Sequence, residues 1–503
     1  MIALVVIWII VLATFFPVLL SRWRLHPGPP TVPYILPWVG VAIEYGRNSV
    51  EFLSRCQERF GPVFNVLVTG FKITIICDEE GIKNAFRDRT RAFRTYAGHQ
   101  QVLRAIGGVK GDAVHLMNDQ LFPIIARSFT MSDGLASIAP RFNEILTTVV
   151  AKQDADSGPS HLPLNSFVGQ CLFETTSRVV FGDKFPTSIY PDFETLDSQF
   201  ALLTAPIPFL ARKVVKSRDR IVRLLMVYID GFWTGSSLEG ASPMANEMFS
   251  LIREAGLPSS DEAGVLLSFM WGLHSNTINT TYWLFAYLLS DRASFKRIRD
   301  EIDSNMNTMF GGDINTFLAS PPPDLGSVHF PLMDSAIKET LRLTILMSSL
   351  REAQKDTEIP YGDGKRAFIC KGGLILLNVG AIQRRSCELE EGLAHFRIDR
   401  YVLDQTQAHN LASEQPSFFG FGGGAHMCKG RYYALHQVKV FLILCISLFD
   451  MVLLDETGKE CQGSLPPPDP TIPGIARPSE QLFIRMEKRE IYRESSTESG
   501  TSV

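Results

Sequence analysis

The sequence predicts a mainly α fold: a large helical domain with a small β-rich lobe, set behind an N-terminal apolar helix. Three observations predict it. Helical periodicity dominates from about Glu80 onward, with its longest apolar run over 263–289. Two short runs, 63–68 and 72–77, alternate in β-branched residues and are punctuated by Gly61 and Gly70. A chain of 503 residues, 45 % hydrophobic and 20 % charged, has the apolar material for a large core. No linker-like stretch interrupts its middle, so a single large domain is expected over 34–490.

Residues 1–21 carry no charge and are dominated by Ile, Val, Leu, Ala, Phe and Trp. A helix of that length spans about 30 Å, the thickness of a bilayer's hydrocarbon core. Arg22 and Arg24 follow, which favours a cytosolic position for that end. With no basic segment before it, the run reads as a transmembrane anchor rather than a cleaved signal peptide. Residues 22–33, with Pro27, Pro29 and Pro30, read as a stiff hinge. The two strand runs build the β-rich lobe. Helices then dominate, with breaks expected at Pro123, Pro140, Pro186 and Pro206. The apolar stretch 202–210 precedes Arg212, Lys213, Lys216, Arg218 and Arg220. It reads either as a flap touching lipid, with basic residues at the headgroups, or as an ordinary amphipathic helix pair. Residues 320–323 form a loop before a helix carrying Glu339, and 466–470 open a strand region ending near Met486. The Ser/Thr-rich tail, 491–503, reads as disordered.

The net charge of −4 gives no footing for nucleic acid. The 8 cysteines show no C-x-x-C spacing, which argues against zinc and against a disulfide framework, and for a reducing environment.

One of them stands apart. Phe421-Gly422-Gly423-Gly424-Ala425-His426-Met427-Cys428-Lys429-Gly430 places Cys428 at the end of a glycine-rich loop, just before a helix-forming run over 431–440. Glycines allow tight turns and close approach to a flat ligand. A helix start offers N–H donors and a positive dipole end, which favour thiolate. Such a thiolate suits an iron ligand. The loop lacks the Gly-Lys-Ser/Thr ending of a phosphate-binding loop.

This segment resembles the haem-binding loop of the cytochrome P-450 family, Phe-Gly-x-Gly-x-(Arg/His)-x-Cys-x-Gly, with Lys429 a small departure at a variable position. The resemblance implies the fold of that family and a haem b cofactor. It makes Cys428 the axial iron ligand, His426 a donor to a haem propionate, and Phe421, Gly422, Gly424 and Gly430 parts of the cradle. Glu339-Thr340-Leu341-Arg342 resembles the family's Glu-x-x-Arg, and 396–401 its later arginine segment. They imply a structural Glu339–Arg342–Arg400 cluster. Arg351 stands where an arginine reaches a propionate. The usual Trp-x-x-x-Arg is missing around 119–127, which leaves Arg127 to serve.

Phe269-Met270-Trp271-Gly272-Leu273-His274-Ser275-Asn276-Thr277-Ile278 resembles the oxygen-activation helix, with Asn276 at the acid position, Thr277 at the alcohol and His274 in place of a glycine. Thr277 and Asn276 become the catalytic candidates. Asn276 cannot trade a proton, so delivery runs through water or through His274. The helix is most similar to the branch of steroid 7α- and 12α-hydroxylases that also holds prostacyclin synthase. The resemblance implies a monooxygenase that inserts one oxygen atom of O₂ into a large hydrophobic, steroid- or terpenoid-like substrate. Contacts would fall near 93–106, 200–208, 271–277, 346–350 and 472–476. The departures suggest a fungal biosynthetic enzyme.

An NADPH-cytochrome P-450 reductase, with cytochrome b5 as a second donor, would supply electrons at an endoplasmic-reticulum membrane. Lys429, Arg431 and Lys439 offer it a basic face, unless they are simply solvated. Two other classes stay open: a haem-thiolate isomerase or dehydratase acting on a lipid peroxide without a reductase, and a non-catalytic haem or sterol carrier.

Overall fold

A computed structural model describes residues 28–489, apart from 89, 131, 156–160, 205–209, 236–238, 320–328, 347–348, 384–394, 403–416 and 471–473. The expected anchor 1–21, most of the hinge and the tail 491–503 lie outside the described residues. Among the described residues, no helix is long and apolar enough to cross a membrane.

Along the chain, α1 (Ser49–Phe60) precedes the strands β1 (Val63–Val68) and β2 (Phe71–Ile76), then α2 (Glu79–Phe86) and β3 (Phe93–Arg94). Helices α3 (Phe122–Thr130) and α4 (Ser132–Ala155) lead to β4 (Leu162–Pro163), α5 (Leu164–Phe181) and α6 (Tyr190–Ser198). After α7 (Arg212–Trp233) come the long α8 (Ser259–Ser290) and α9 (Pro331–Thr344). Four strands follow, β5 (Ser349–Ala353), β6 (Thr357–Tyr361), β7 (Lys365–Ile369) and β8 (Leu374–Leu377), before α10 (Arg431–Leu448), β9 (Phe449–Leu454) and β10 (Phe483–Lys488). Contacts divide the chain into two compact units, neither of them a continuous stretch.

The first unit comprises Met1–Gly98, Leu346–Ile382 and Gly422–Met427. Its sheet has the order β1-β2-β8-β5-β3, antiparallel except where β2 runs parallel to β8. The β1–β2 hairpin closes on Thr69 and Gly70, both at positive φ, as a tight two-residue turn requires. Helix α1 buries Phe52, Leu53 and Cys56 against Phe64, Val66 and Ile75. The end of the expected hinge 22–33 is held by backbone bonds. Val32 donates to the Asn65 carbonyl at 2.8 Å and Asn65 to that of Pro30 at 2.7 Å, because the edge of β1 offers backbone groups that an extended proline-rich segment can pair.

The second unit comprises His99–Ile345, Gln383–Phe421 and Cys428–Val503. Its axis is α8, which extends slightly beyond the expected 263–289 and is buried along most of its length, so apolar residues recur on more than one face. It packs against α5, α7, α9 and α10. At Gly264 a Cβ would meet the Gly107 carbonyl oxygen at 2.5 Å, so backbone lies directly on backbone there. A three-stranded antiparallel sheet, β4-β10-β9, completes this unit. Pro140 does not end a helix. It lies inside α4, where burial of Ala139, Phe142, Leu146 and Val149 against α5 and α10 outweighs the ~3 kcal/mol of an interior proline.

Candidate functional site

The glycine loop folds back before the helix it feeds. Cys428 N–H donates to the Phe421 carbonyl at 3.0 Å and Met427 N–H to that of Gly424 at 3.1 Å. Gly422 and Gly424 have φ of +71° and +63°. A Cβ on Gly424 would lie 1.8 Å from the Phe86 carbonyl oxygen, so the loop rests directly on the end of α2. Gly422 needs only its φ, since nothing lies near its Cβ position. Gly430 has φ of −89° and open space around it, so neither conformation nor crowding demands glycine.

Cys428 is exposed. Its surroundings nevertheless exclude enough water that desolvation pushes the thiol up, and only then do the Gly430 N–H and the charges of Arg431 and Lys429 pull it back. The helix start does not by itself make a thiolate, contrary to the sequence expectation. The sulfur sits in a crowded setting whose desolvation outweighs the dipole and the two cations.

In the first unit, Arg351 on β5 is 6 % exposed. Its guanidinium donates to the Leu350 carbonyl at 3.1 Å and faces no carboxylate among the described residues. Burial pulls its pKa down to about 10. His426 in the same unit is exposed, with Nε2 3.3 Å from the Phe93 carbonyl oxygen, which it reaches as a donor.

In the second unit, α9 holds Glu339 and Arg342 one turn apart. Arg342 donates from Nε and Nη2 to the two Glu339 oxygens at 2.8 and 2.9 Å, and Arg400 Nε donates to Oε1 at 2.8 Å. The Arg397 N–H adds a 3.3 Å bond, and all three side chains of the cluster are buried. The expected triad is therefore assembled.

On α8, Thr277 is 9 % exposed and its hydroxyl has no described partner. It does not bond back to its own helix, as Thr280 does to the Asn276 carbonyl and Thr281 to that of Thr277. Asn276 is exposed, but its Oδ1 accepts from Ile475 N–H at 3.1 Å. His274 is enclosed: Nε2 lies 3.1 Å from Ser177 Oγ, and the ring packs against Phe173 and Phe193. Burial pulls its pKa down to about 3, which favours the neutral ring near pH 7.

A flat porphyrin with two carboxylates needs a soft axial ligand and a cation. In the second unit, the thiol of Cys428 fits the first need; in the first unit, the buried guanidinium of Arg351, with no carboxylate against it among the described residues, fits the second. The comparisons agree. The Cytochrome P450 family model matches residues 27–221 and 244–479. The chain belongs to the cytochrome P450 family. It is a cytochrome P450 monooxygenase, and its cofactor is haem. Mouse cytochrome P450 7B1 is 24 % identical over 87 % of each chain. Human 7-alpha-hydroxycholest-4-en-3-one 12-alpha-hydroxylase is 24 % identical over 86 % of this chain and 88 % of its own. Rat prostacyclin synthase is 23 % identical over 86 % and 89 %. The solved structure of retinoic acid bound cyanobacterial CYP120A1 superposes with a TM-score of 0.68 at 19 % identity, over 92 % of this chain and 99 % of that one, and shares the mainly helical fold with its small β region.

Two sequence expectations for this P450 do not hold. Arg127 is exposed and pairs with Glu247 at 2.7 Å, so its charge is already met at the surface of its unit. Lys439 is buried and pairs with Asp334 of α9, because it falls on the inward face of α10, and it contributes nothing to a basic face. The basic run at the start of α7 is divided as well. Arg212, Lys213 and Lys216 are exposed, whereas Arg218 bonds Asp219 and the Ala105 carbonyl and Arg220 bonds Asp192.

Sequence reasoning missed Asp197 of α6. This 2 % exposed carboxylate accepts from Trp271 Nε1 at 2.8 Å, Ser275 Oγ at 2.6 Å and Arg477 Nη2 at 2.6 Å. The available signal was the i, i+4 pair Trp271 and Ser275, two donors on one face of an apolar helix. A cavity of about 190 Å³ beside it, lined by Tyr190, Glu194, Asn279, Tyr282 and Arg477, is too polar and too small for a large hydrophobic substrate.

Proposed function

We propose that this P450 is a membrane-bound haem-thiolate hydroxylase of a steroid- or terpenoid-like substrate, with Cys428 as axial ligand. The observation that carries the reading is the accessible Cys428 thiol at the start of α10, with the Gly430 N–H bonded to its sulfur. The name of one relative supports the substrate class: the human 12-alpha-hydroxylase acts on 7-alpha-hydroxycholest-4-en-3-one, a steroid. Haem, when bound, supplies oxygen activation and insertion into an unactivated C–H bond.

The chain's own residues do the rest. Cys428 must lose its proton to ligate, and burial holds that proton on, so loading weakens as pH falls. The Gly430 N–H tempers the sulfur's charge. Arg351 and His426 are the donors for the propionates, and the left-handed turns at Gly422 and Gly424 shape the loop that leads to Cys428. Thr277 holds a water and hands on its proton through a hydroxyl that no other group claims among the described residues. Glu339, Arg342 and Arg400 brace the core. Electrons come from an NADPH-dependent reductase, with cytochrome b5 as a second donor. Residues 1–21 anchor the chain in the endoplasmic-reticulum membrane, 22–33 form the hinge, 34–490 the cytosolic catalytic domain and 491–503 the tail.

The test is expression in microsomes with a reductase, followed by profiling of sterol and terpenoid extracts for the gain of one oxygen atom. Cys428→Ser is expected to abolish both that product and the thiolate-type Soret band of the reduced carbon-monoxide complex. A second reading follows from the prostacyclin synthase relatives: isomerisation of a lipid peroxide. Product formed from a hydroperoxide alone, without NADPH, would establish it instead.

A further inference from the structure

Four consecutive residues, Gly474 to Arg477, are fastened along α8. Asn276, Asn279 and Trp283 recur at i, i+3 and i+7, which places them on one face of that helix. All three bind this segment. Asn276 Oδ1 accepts from Ile475 N–H at 3.1 Å, Asn279 Nδ2 donates to the Ile475 carbonyl at 3.4 Å, and Trp283 Nε1 donates to the Ala476 carbonyl at 2.6 Å. Ala476 N–H donates to the Thr344 carbonyl at 3.0 Å, and Ile345 forms an antiparallel bridge with Ile475. Arg477 then reaches the buried Asp197, which also holds Trp271 and Ser275 of α8.

Every backbone polar group of Ile475 and Ala476 thus has a partner, and α8 side chains supply three of the four. The fit is close. Gly474 has φ of +96°, and a Cβ there would come within 2.6 Å of Asn276 Oδ1. Asn276 stands where the oxygen-activation motif has an acid. Its one acceptor atom is committed to Ile475, and an amide does not titrate.

We infer that Asn276 is a positioning residue: it latches residues 474–477 onto α8 and takes no part in proton delivery. This deepens the oxygenase reading and rests on it for the proton path. The latch itself stands on the geometry alone.

Three full-length, haem-loaded variants separate the roles. Asn276→Ala removes the acceptor. Gly474→Ala keeps Asn276 but pushes the segment away from it. Asn276→Asp keeps an oxygen that accepts from Ile475 while adding an acid. Amide hydrogen exchange across 474–477 is read by mass spectrometry, and the solvent deuterium isotope effect is read on reductase-supported NADPH consumption.

The latch gives exchange about tenfold faster or more in Asn276→Ala and Gly474→Ala, near-parental exchange in Asn276→Asp, and an unchanged isotope effect in all three. Parental protection in both alanine variants would overturn it. So would an isotope effect or NADPH rate that changes in Asn276→Asp while exchange does not, because Asn276 would then belong to the proton path. If the oxygenase reading itself were wrong, no variant would consume NADPH, and exchange would still decide the latch.

Discussion

Arg342 and Arg351 are both buried guanidinium groups, and they differ in what closes them. Arg342 meets Glu339 through two bonds of 2.8 and 2.9 Å, with Arg400 sharing the same carboxylate. Arg351 meets one carbonyl and no described anion. A charge taken out of water is tolerated only when it is paired. The first site is therefore closed by a carboxylate, whereas the second has none among the described residues and leaves room for the anion that the proposed function assigns to it. The same contrast recurs on α8, where His274 is enclosed by Ser177, Phe173 and Phe193 and the Thr277 hydroxyl has no partner among the described residues.

The strongest way to break this comparison is Glu339→Ala. It strands two buried guanidinium groups, and breaking a buried ion pair on one side typically costs about 3–5 kcal/mol. We expect a protein that unfolds at much lower urea or fails to accumulate. A loss below about 1 kcal/mol would mean that the cluster is not closed as described.

Acid is the next lever. Burial depresses His274 to about 3, and burial followed by the Lys439 charge depresses His436 to about 4. In both cases the unfolded chain takes up the proton first. Their contribution to stability is present above about pH 6.5 and is lost progressively as pH falls toward 4. Urea midpoints at pH 8, 6.5 and 5 should fall in that order. His274→Gln, which does not titrate, should make the decline shallower.

Arg351→Ala should do the opposite of Glu339→Ala. The haem-free chain loses a buried charge that has no carboxylate partner among the described residues, and should be no less stable. Haem retention should fall about tenfold, the scale of one charge-assisted bond, as read by transfer of haem to apomyoglobin. Equal damage to both properties would place Arg351 among the structural cations.

What was legible in the sequence follows the same divide. Glu339, Arg342 and the Cys428 loop announce themselves because local spacing fixes their geometry: one helical turn in the first case, a run of glycines before a helix in the second. The strands 63–68 and the long α8 were legible from period alone. Arg127 and Lys439 were misread, since the neighbours that claim them, Glu247 and Asp334, are about a hundred residues away in sequence and no local pattern reveals them. Asp197 and Arg477, and the bond that holds Asn276, escaped for the same reason: these bonds bridge α6, α8 and a segment near the C-terminus. The raised thiol of Cys428 was missed because the dipole is a local property and desolvation is not.

The smallest effect on the fold, and the sharpest test of its open side, concerns Thr277. Its hydroxyl makes no bond among the described residues, so Thr277→Val removes no interaction and nearly conserves volume. Stability should change by less than about 1 kcal/mol. If the hydroxyl only filled space, product formed per NADPH would be equally unmoved. If it holds the water that hands on protons, Thr277→Val should lower that ratio severalfold while leaving the Soret band and NADPH consumption largely intact, and Thr277→Ser should restore much of it. A fall in stability equal to that of a closed site would instead mean that Thr277 has a structural partner, and the division between His274 and Thr277 would lapse.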